Sequence, residues 1–335
     1  MIRAAIVGIG TWGQNLVRSV QGKSEDIGFV AGTTGTLSKA QDFSKQNGIA
    51  LFDSYEKVLQ EKSVEAVVLA TPHSMHCEQI VAAANAGKHV FVEKPLAWTA
   101  AEARELEALS AEHGRTLMVG HLLRFHPGVV KLRELIDSGE LGEVLYVYGN
   151  RQNLGVIRED ENALWSLGVH DISVVLYLLG GRPVEVSARG ECYVRPGVED
   201  VVFGYVKLAT GQVGHLHLSW LDPHKMRKMT VVGSKQMAVF DDMEAERKIT
   251  VYDKGPVEIA PGKITTHTGD ITIPSISREE PLRVECRAFI DAVRSGDREH
   301  PANGAEGVAV VEVLQAMQRS LEAGGIAISL EGAPA

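Results

Sequence analysis

Cysteine is scarce. The chain has three, Cys77, Cys192 and Cys286, odd in number, far apart and outside any CxxC spacing, so neither a disulfide framework nor a zinc site is expected. Positive charge is in deficit as well: 34 Lys and Arg stand against 43 Asp and Glu, a formal net charge of −9. That balance speaks against nucleic acid or an anionic membrane as the main partner and leaves room only for a local basic pocket, such as one taking a phosphorylated ligand. No apolar run approaches the ~20 residues of a membrane span. The first residues lack the basic segment, apolar run and small-residue cleavage site of a secretory signal, and a cytoplasmic, reducing location is expected. Neither an internal repeat nor a low-complexity segment interrupts the chain.

What is present is an ordinary globular composition, 44% hydrophobic over 335 residues, enough for two domains with a core each. The pattern opens with a strand over residues 2–7 that runs into Gly8-Ile9-Gly10-Thr11-Trp12-Gly13 and then a helix. In that setting the glycines permit a tight turn and close backbone approach to a pyrophosphate on the helix N-terminus; a glycine-rich turn without function is the plain alternative. A second strand, residues 27–31, ends in Gly32-Thr33-Thr34-Gly35-Thr36, where an NAD-specific fold usually carries an acid for the ribose hydroxyls. No acid stands there. Thr33 and Thr34, with Lys39 nearby, can receive a 2′-phosphate, but the arginine typical of NADP sites is missing too. The cofactor is therefore NAD or NADP, with a slight tilt toward NADP.

Further strands over residues 66–70, 89–92 and 116–119 alternate with helices. One helix has Ser74 as its expected N-cap and Gly87 at its end; the next is opened by the capping box Thr99-Ala100-Ala101-Glu102 and closed by Gly114. This alternation predicts an α/β fold whose N-terminal part, residues 1–121, is a Rossmann-type doubly wound parallel sheet binding a dinucleotide. Its strand ends gather Gly8, Thr33, Thr71 and Lys94 on one edge. The most telling stretch is Val90-Phe91-Val92-Glu93-Lys94-Pro95, where a short apolar strand delivers a charged pair into a proline. A lysine held near a pocket by the adjoining Glu93 stabilises a developing oxyanion or shuttles a proton; a solvated strand end is the alternative.

From about Leu122 the pattern changes. Pro127 opens a helix, residues 144–148 form a strand, and a helix over residues 164–179 stops at Gly180-Gly181. After Pro183 the chain is mostly β, with hairpins over residues 201–220 and 229–240. Residues 122–335 thus read as an α+β domain with a large, mostly antiparallel sheet, serving substrate binding and oligomerisation. Alternation places His215 and His217 on one face and Leu216, Leu218 and Trp220 on the other. A His-x-His pair can bind metal, but the polar side of a half-buried sheet or a subunit interface is the expectation, and no metal is expected. Amphipathic helices over residues 281–293 and 308–321 are expected to cover one side of this sheet. An open sheet face then calls for a second copy, in a homodimer or homotetramer.

The glycine turn, Ala70-Thr71-Pro72 with His76 four residues after the proline, Glu93-Lys94-Pro95 and the helix bearing His170 together resemble the Gfo/Idh/MocA family of NAD(P)-dependent sugar oxidoreductases, over essentially the whole chain. The middle portion, Arg151-Gln152-Asn153-Leu154-Gly155, Asn162-Ala163-Leu164-Trp165, His170-Asp171-Ile172-Ser173 and Ser219-Trp220-Leu221-Asp222-Pro223-His224-Lys225, is similar to the UDP-N-acetylglucosamine 3-dehydrogenase branch. The resemblance implies that Lys94 polarises the hydroxyl that becomes a carbonyl and His170 takes its proton. It also implies that Thr71, Pro72, His76 and Glu93 hold the nicotinamide, with Gly8, Gly10, Thr11, Trp12 and Gly13 on the phosphates. Arg124, Arg151, Asn153 and Arg158 are placed to contact a nucleotide-sugar diphosphate, with Asp171 among the substrate residues; Asp222, His224 and Lys225 either line the same cleft or form a turn. Many members carry an Asp four residues before the histidine, where this chain has Ser166; Asp171 takes over its task, or Lys94 and His170 act alone. The expected activity is oxidation of a secondary alcohol on a nucleotide-linked sugar. The rivals are dehydrogenation of a free polyol such as inositol or glucose, and a non-catalytic cofactor-binding regulator.

Overall fold

The computed structural model describes residues 1–159 and 161–330. By packing the chain forms two units, one of Met1–Phe125 with Glu279–Val311, the other of His126–Arg278 with the chain from Glu312.

In the first unit six strands, β1 (Ile2–Val7), β2 (Ile27–Thr33), β3 (Ala50–Leu51), β4 (Ala66–Leu69), β5 (His89–Val92) and β6 (Leu117–Val119), form a sheet in the order β3-β2-β1-β4-β5-β6. Every pairing is parallel. A parallel sheet is covered on both faces, which is why β4 is an unbroken apolar run and β5 is one after His89, rather than alternating. The two faces feed separate clusters: Ile6, Phe29, Val68 and Phe91 on one side, Val7, Leu69, Val90 and Val92 on the other. Between strands, helix Ala100–Glu112 starts at the expected capping box, Thr99 Oγ1 accepting from the Glu102 amide at 3.2 Å and Glu102 from the Thr99 amide at 3.0 Å. Ser74 does not cap its helix. A tight turn, His73–Met75, comes first, and helix His76–Asn85 begins only after it.

Helix Pro281–Ser295 overturns one expectation. It packs with the first unit, because Leu282, Cys286, Phe289 and Ile290 enter the cluster of Ile2, Phe29 and Phe91. Each large side chain so buried contributes about 1.5–3 kcal/mol. Periodicity marked the apolar stripe but carries no label for the sheet it covers. The segment that follows protects the edge of β6, where the Val119 amide donates to the Ala302 carbonyl at 2.8 Å.

The second unit holds nine strands: β7 (Val144–Gln152), β8 (Pro183–Glu191), β9 (Val201–Leu208), β10 (Val213–Ser219), β11 (Met226–Gly233), β12 (Met237–Asp241), β13 (Ile249–Ala260), β14 (Lys263–Thr272) and β15 (Ile328–Ser329). Their order is β14-β13-β12-β11-β7-β10-β9-β8-β15, and only β7 with β10 runs parallel among the described residues. Along β10 and just beyond it, Leu216, Leu218 and Trp220 are buried, and His215 is exposed. Helix Val169–Leu179 lies on the inner face. Gly214 admits it, since a Cβ there would stand 2.5 Å from Val175 Cγ1. No helix of the described residues is long and apolar enough to cross a membrane.

Candidate active site

All strands of the first sheet point one way, so Gly8, Thr71, Lys94 and His121 follow the C-terminal ends of β1, β4, β5 and β6 on one edge, and Thr33 ends β2 beside them. The strand order reverses between β1 and β4, and ligands of such sheets bind at that reversal. The three glycines there have different reasons to be glycine. Gly8 has φ 91°, and a Cβ on it would lie 2.4 Å from the Ala70 carbonyl oxygen on the neighbouring strand end. At Gly13 a Cβ would lie 1.9 Å from the Gly8 oxygen, so the helix rests directly on the turn. Gly10 faces open space. Helix Thr11–Val20 starts there with no side-chain cap and no acid in its first turn. Its positive end is thus left for an anion, and the turn fits the pyrophosphate of a nicotinamide dinucleotide.

Around this turn the expected residues divide into those that face outward and those that brace. Thr33 is buried, its carbonyl accepting from the Gly8 amide at 2.9 Å, while Thr34 is half-buried and Lys39 exposed. Thr71 Oγ1 donates to Gln79 Oε1 at 2.6 Å. His76 is fully buried, with Nδ1 2.9 Å from the Pro95 carbonyl oxygen and Nε2 3.1 Å from that of Thr71. It therefore ties two loops together rather than presenting a ring edge to a ligand. Burial pushes it down to about 4, so the ring is neutral near pH 7 and donates to one carbonyl at a time. Lys94 is half-buried at the end of the β5 loop. Beside it Glu93 is buried, and its carboxylate accepts from Trp12 Nε1 on the glycine turn. Gly120 leaves room for that carboxyl, since a Cβ would be 3.1 Å from Glu93 Cδ. Burial raises Glu93 to about 7, against the lowering pull of the Trp12 hydrogen bond and the Lys94 charge.

The second unit places His170 half-buried at the start of helix Val169–Leu179, directly after a π-helical turn, Leu164–Gly168, that contains Ser166. Such turns insert one residue into the helical ladder, so the four-residue spacing from Ser166 to His170 is not that of a regular helix. Asp171, the next residue, is buried. Its carboxylate takes the Arg151 guanidinium at two points, 2.8 and 3.0 Å. Gly149 on β7 stands beside this pair, 3.5 Å from the Asp171 carboxyl carbon as its Cβ would be built.

The arginines expected to meet a diphosphate are each already engaged. In the second unit Arg158 Nη1 lies 2.6 Å from Glu161, and Asn153 Oδ1 accepts from Arg227 Nη2 at 2.6 Å. In the first unit Arg124 is paired with Glu306. Asp222 belongs to a turn, accepting from the His224 amide at 2.9 Å. Among the described residues no group of three or more His, Cys, Asp or Glu could hold a metal ion. His215 and His217 instead join an aromatic patch, with the His217 ring 4.4 Å from Phe203 and that of His215 5.2 Å from Tyr205. The sequence did not flag Arg227, His121 or Glu285. The one signal for Glu285 was an acid on an otherwise apolar helical stripe.

A phosphate cradle at the reversal point of a parallel sheet makes the first unit that of a dinucleotide-binding α/β enzyme. The chain belongs to the Gfo/Idh/MocA family of oxidoreductases. Its residues 2–121 match the family's model for an oxidoreductase with an NAD-binding Rossmann fold, and residues 129–239 match the GFO/IDH/MocA C-terminal domain. Among curated relatives, the scyllo-inositol 2-dehydrogenase (NAD(+)) of Bacillus subtilis is 30% identical over 67% of this chain and 68% of that protein. The inositol 2-dehydrogenase of Salmonella paratyphi B is 33% identical over 53% of this chain, and the chain spans about half of it, 54%. Among solved structures, UDP-N-acetylglucosamine 3-dehydrogenase GnnA from Acidithiobacillus ferrooxidans superposes with a TM-score of 0.81 at 24% identity, covering 96% of this chain and 98% of that one. A likeness at that identity is one of fold.

Proposed function

We propose that this protein is an NAD(P)-dependent dehydrogenase of a secondary alcohol on an uncharged polyol or sugar, of the inositol kind. The observation that carries the choice is the pairing of the arginines. Arg124, Arg151 and Arg158 each face a carboxylate of this chain, whereas a diphosphate needs guanidinium groups whose charge is still available. An uncharged ring needs hydrogen-bonding partners only. The names of the Bacillus and Salmonella relatives support the same substrate class. The rival, a UDP-N-acetylglucosamine-type sugar oxidised at C3, rests on the motif resemblance of the middle portion, residues 151–155, 162–165, 170–173 and 219–225.

In this reading Lys94 and His170 are the catalytic residues. The Lys94 ammonium stabilises the forming alkoxide, and a neutral His170 ring, whose unprotonated nitrogen is a proton acceptor, takes the hydroxyl proton. The dinucleotide, when bound, supplies the hydride acceptor. Gly8, Gly10, Thr11 and Gly13 hold its phosphates, Thr71, Pro72 and Glu93 shape the nicotinamide end, and His76 keeps the Thr71 and Pro95 loops in register. Thr34, with the exposed Lys39 nearby, would hold the adenosine ribose.

The outer sheet face supports a homodimer. Leu145 and Phe203 are 43% and 56% exposed there, beside Tyr146, Tyr148 and Tyr205.

The test is cofactor reduction with free inositols, glucose, UDP-N-acetylglucosamine and its uronic acid, each with NAD and with NADP. Turnover of free polyols, unaffected by added UDP, is expected. Turnover confined to the UDP-sugars overturns the uncharged substrate and favours the rival. Dinucleotide binding without turnover of any of them favours a regulator.

A further inference from the structure

Glu285 sits in the middle of helix Pro281–Ser295 with 0% exposure, and neither carboxyl oxygen has a hydrogen-bond partner among the described residues. Its neighbourhood follows from one aromatic contact. Phe91 on β5 and Phe289 on the helix meet edge to face at 5.8 Å. Two residues beyond Phe91, on the same side of the extended chain, is Glu93; one helical turn before Phe289, on the same helical face, is Glu285. Burial, and after it the charge of Glu93, pushes the Glu285 carboxyl well above the usual range.

The titratable and charged groups on the elements around it are these. His121 follows Gly120, whose missing side chain makes room for Glu93; its ring is 2% exposed and both nitrogens lack partners among the described residues. Burial and the charges of Arg124 and Lys94 push it down to about 3, so it is neutral. Arg124 is taken up by Glu306. The Cys286 thiol lies 3.9 Å from Ser19 Oγ and is pushed up to about 12 by burial, so it too is uncharged. The outer start of the helix carries Glu280 and Arg283, 3.8 Å apart. The Glu93 carboxyl lies between two influences, the Lys94 charge beside it and the Glu285 carboxyl on the helix.

We propose that Glu285 is a positioning residue for the Lys94 site: it remains a neutral carboxylic acid and donates its proton, through a bridging water, toward the Glu93 carboxylate. A buried water needs two to four polar partners, and the oxygens of the Glu285 and Glu93 carboxyls supply them. Above the midpoint of Glu93 the pair carries one proton, held on Glu285. The Glu93 anion then has Trp12 as one donor and the Glu285-oriented water as another, and its charge is set beside Lys94. The bearing on turnover rests on the catalytic reading of Lys94; the pairing itself does not.

Trp12 fluorescence followed against pH reads Glu93 directly, because the indole N–H donates to that carboxyl, and Trp12→Phe provides the background. Wild type is expected to titrate with a midpoint near about 7. Glu285→Gln keeps a neutral donor and leaves the midpoint unmoved, while Glu285→Leu removes the donor and raises it by ~1 unit or more. A fall of ~1 unit in Glu285→Gln reveals an anion at that position and overturns the proposal, as does an unmoved midpoint in Glu285→Leu. Should either variant fail to fold, infrared spectra of the wild-type protein decide: a buried carboxylic-acid carbonyl band persists above the Glu93 midpoint, and its absence overturns the proposal. None of these readouts needs a substrate, so failure of the dehydrogenase reading is separately visible as dinucleotide binding without turnover.

Discussion

Arg151 and Asp171 meet in a two-point contact, Nε to Oδ2 at 2.8 Å and Nη2 to Oδ1 at 3.0 Å, with their side chains 11% and 3% exposed. Cutting such a pair on one side leaves a buried charge without its counterpart. Asp171→Ala is expected to cost about 3–5 kcal/mol, whereas Arg151→Met with Asp171→Leu costs far less, because apolar replacement of a whole pair is often neutral. Urea unfolding of the three proteins measures this. Asp171→Asn frees the Arg151 charge, and inhibition by UDP, absent in the wild type, is then expected to appear.

The glycine turn separates folding from binding. A Cβ at Gly13 falls 1.9 Å from backbone, and one at Gly8 falls 2.4 Å from backbone at a φ of 91°. Both substitutions to Ala are expected to destabilise by ~2 kcal/mol or more. Gly10→Ala meets nothing within 4 Å and should melt near the wild-type temperature. Its methyl group occupies the approach of the pyrophosphate, so dinucleotide affinity is expected to fall ~10-fold or more. Thermal melts beside fluorescence titration with NADH distinguish the two classes.

At the proposed catalytic residues the opposite split is expected. Lys94→Ala and His170→Ala each remove a proton-handling group, for a loss in kcat of ~10²–10⁴. The phosphate cradle is untouched by either, and dinucleotide affinity should stay within a few-fold. Equal losses of binding and turnover would instead make Lys94 a cofactor anchor.

Local rules carried much of this structure. Strand, glycine turn and helix at the N-terminus, the capping box at Thr99 and the alternation along β10 are all short-range, and each element stands where the pattern placed it. Long-range choices were illegible for physical reasons. The stripe of helix Pro281–Ser295 is apolar whichever sheet it meets, and only packing assigns it to Phe91. His76 was marked by its spacing from Pro72, but its role as a brace depends on the Pro95 carbonyl, 19 residues away. The arginines show the same limit: sequence counts their charges and cannot show that Arg151 is met by Asp171, 20 residues on.

The outer sheet face gives a test of assembly. Tyr146 and Tyr148 stack at 6.2 Å, Phe203 lies on His217, and β7, β9 and β10 present them side by side. Exposed apolar surface of this kind is ordinarily covered. In sedimentation velocity the wild type is expected to run as a dimer and Phe203→Glu as a monomer that keeps its folded circular-dichroism spectrum. A monomeric wild type would remove the sheet face as an interface.

The pH dependence of stability follows from buried groups with opposite signs. Glu93 is raised from 4.5 to about 7, so between those values the folded chain keeps a proton that the unfolded chain has lost. Stability contributed there is lost as pH rises, by up to about 3 kcal/mol. His76 is lowered from 6.5 to about 4, so the unfolded chain takes up a proton that the folded chain refuses, and stability is lost as pH falls through that window. The amount is again about 3 kcal/mol. Difference curves against wild type isolate each group. Glu93→Gln should gain relative stability from pH 4.5 upward to 7. His76→Asn should gain it from pH 6.5 downward to 4. Urea midpoints taken across that range check both slopes, and a flat difference curve for Glu93→Gln would mean that Glu93 is ionised in the folded protein throughout.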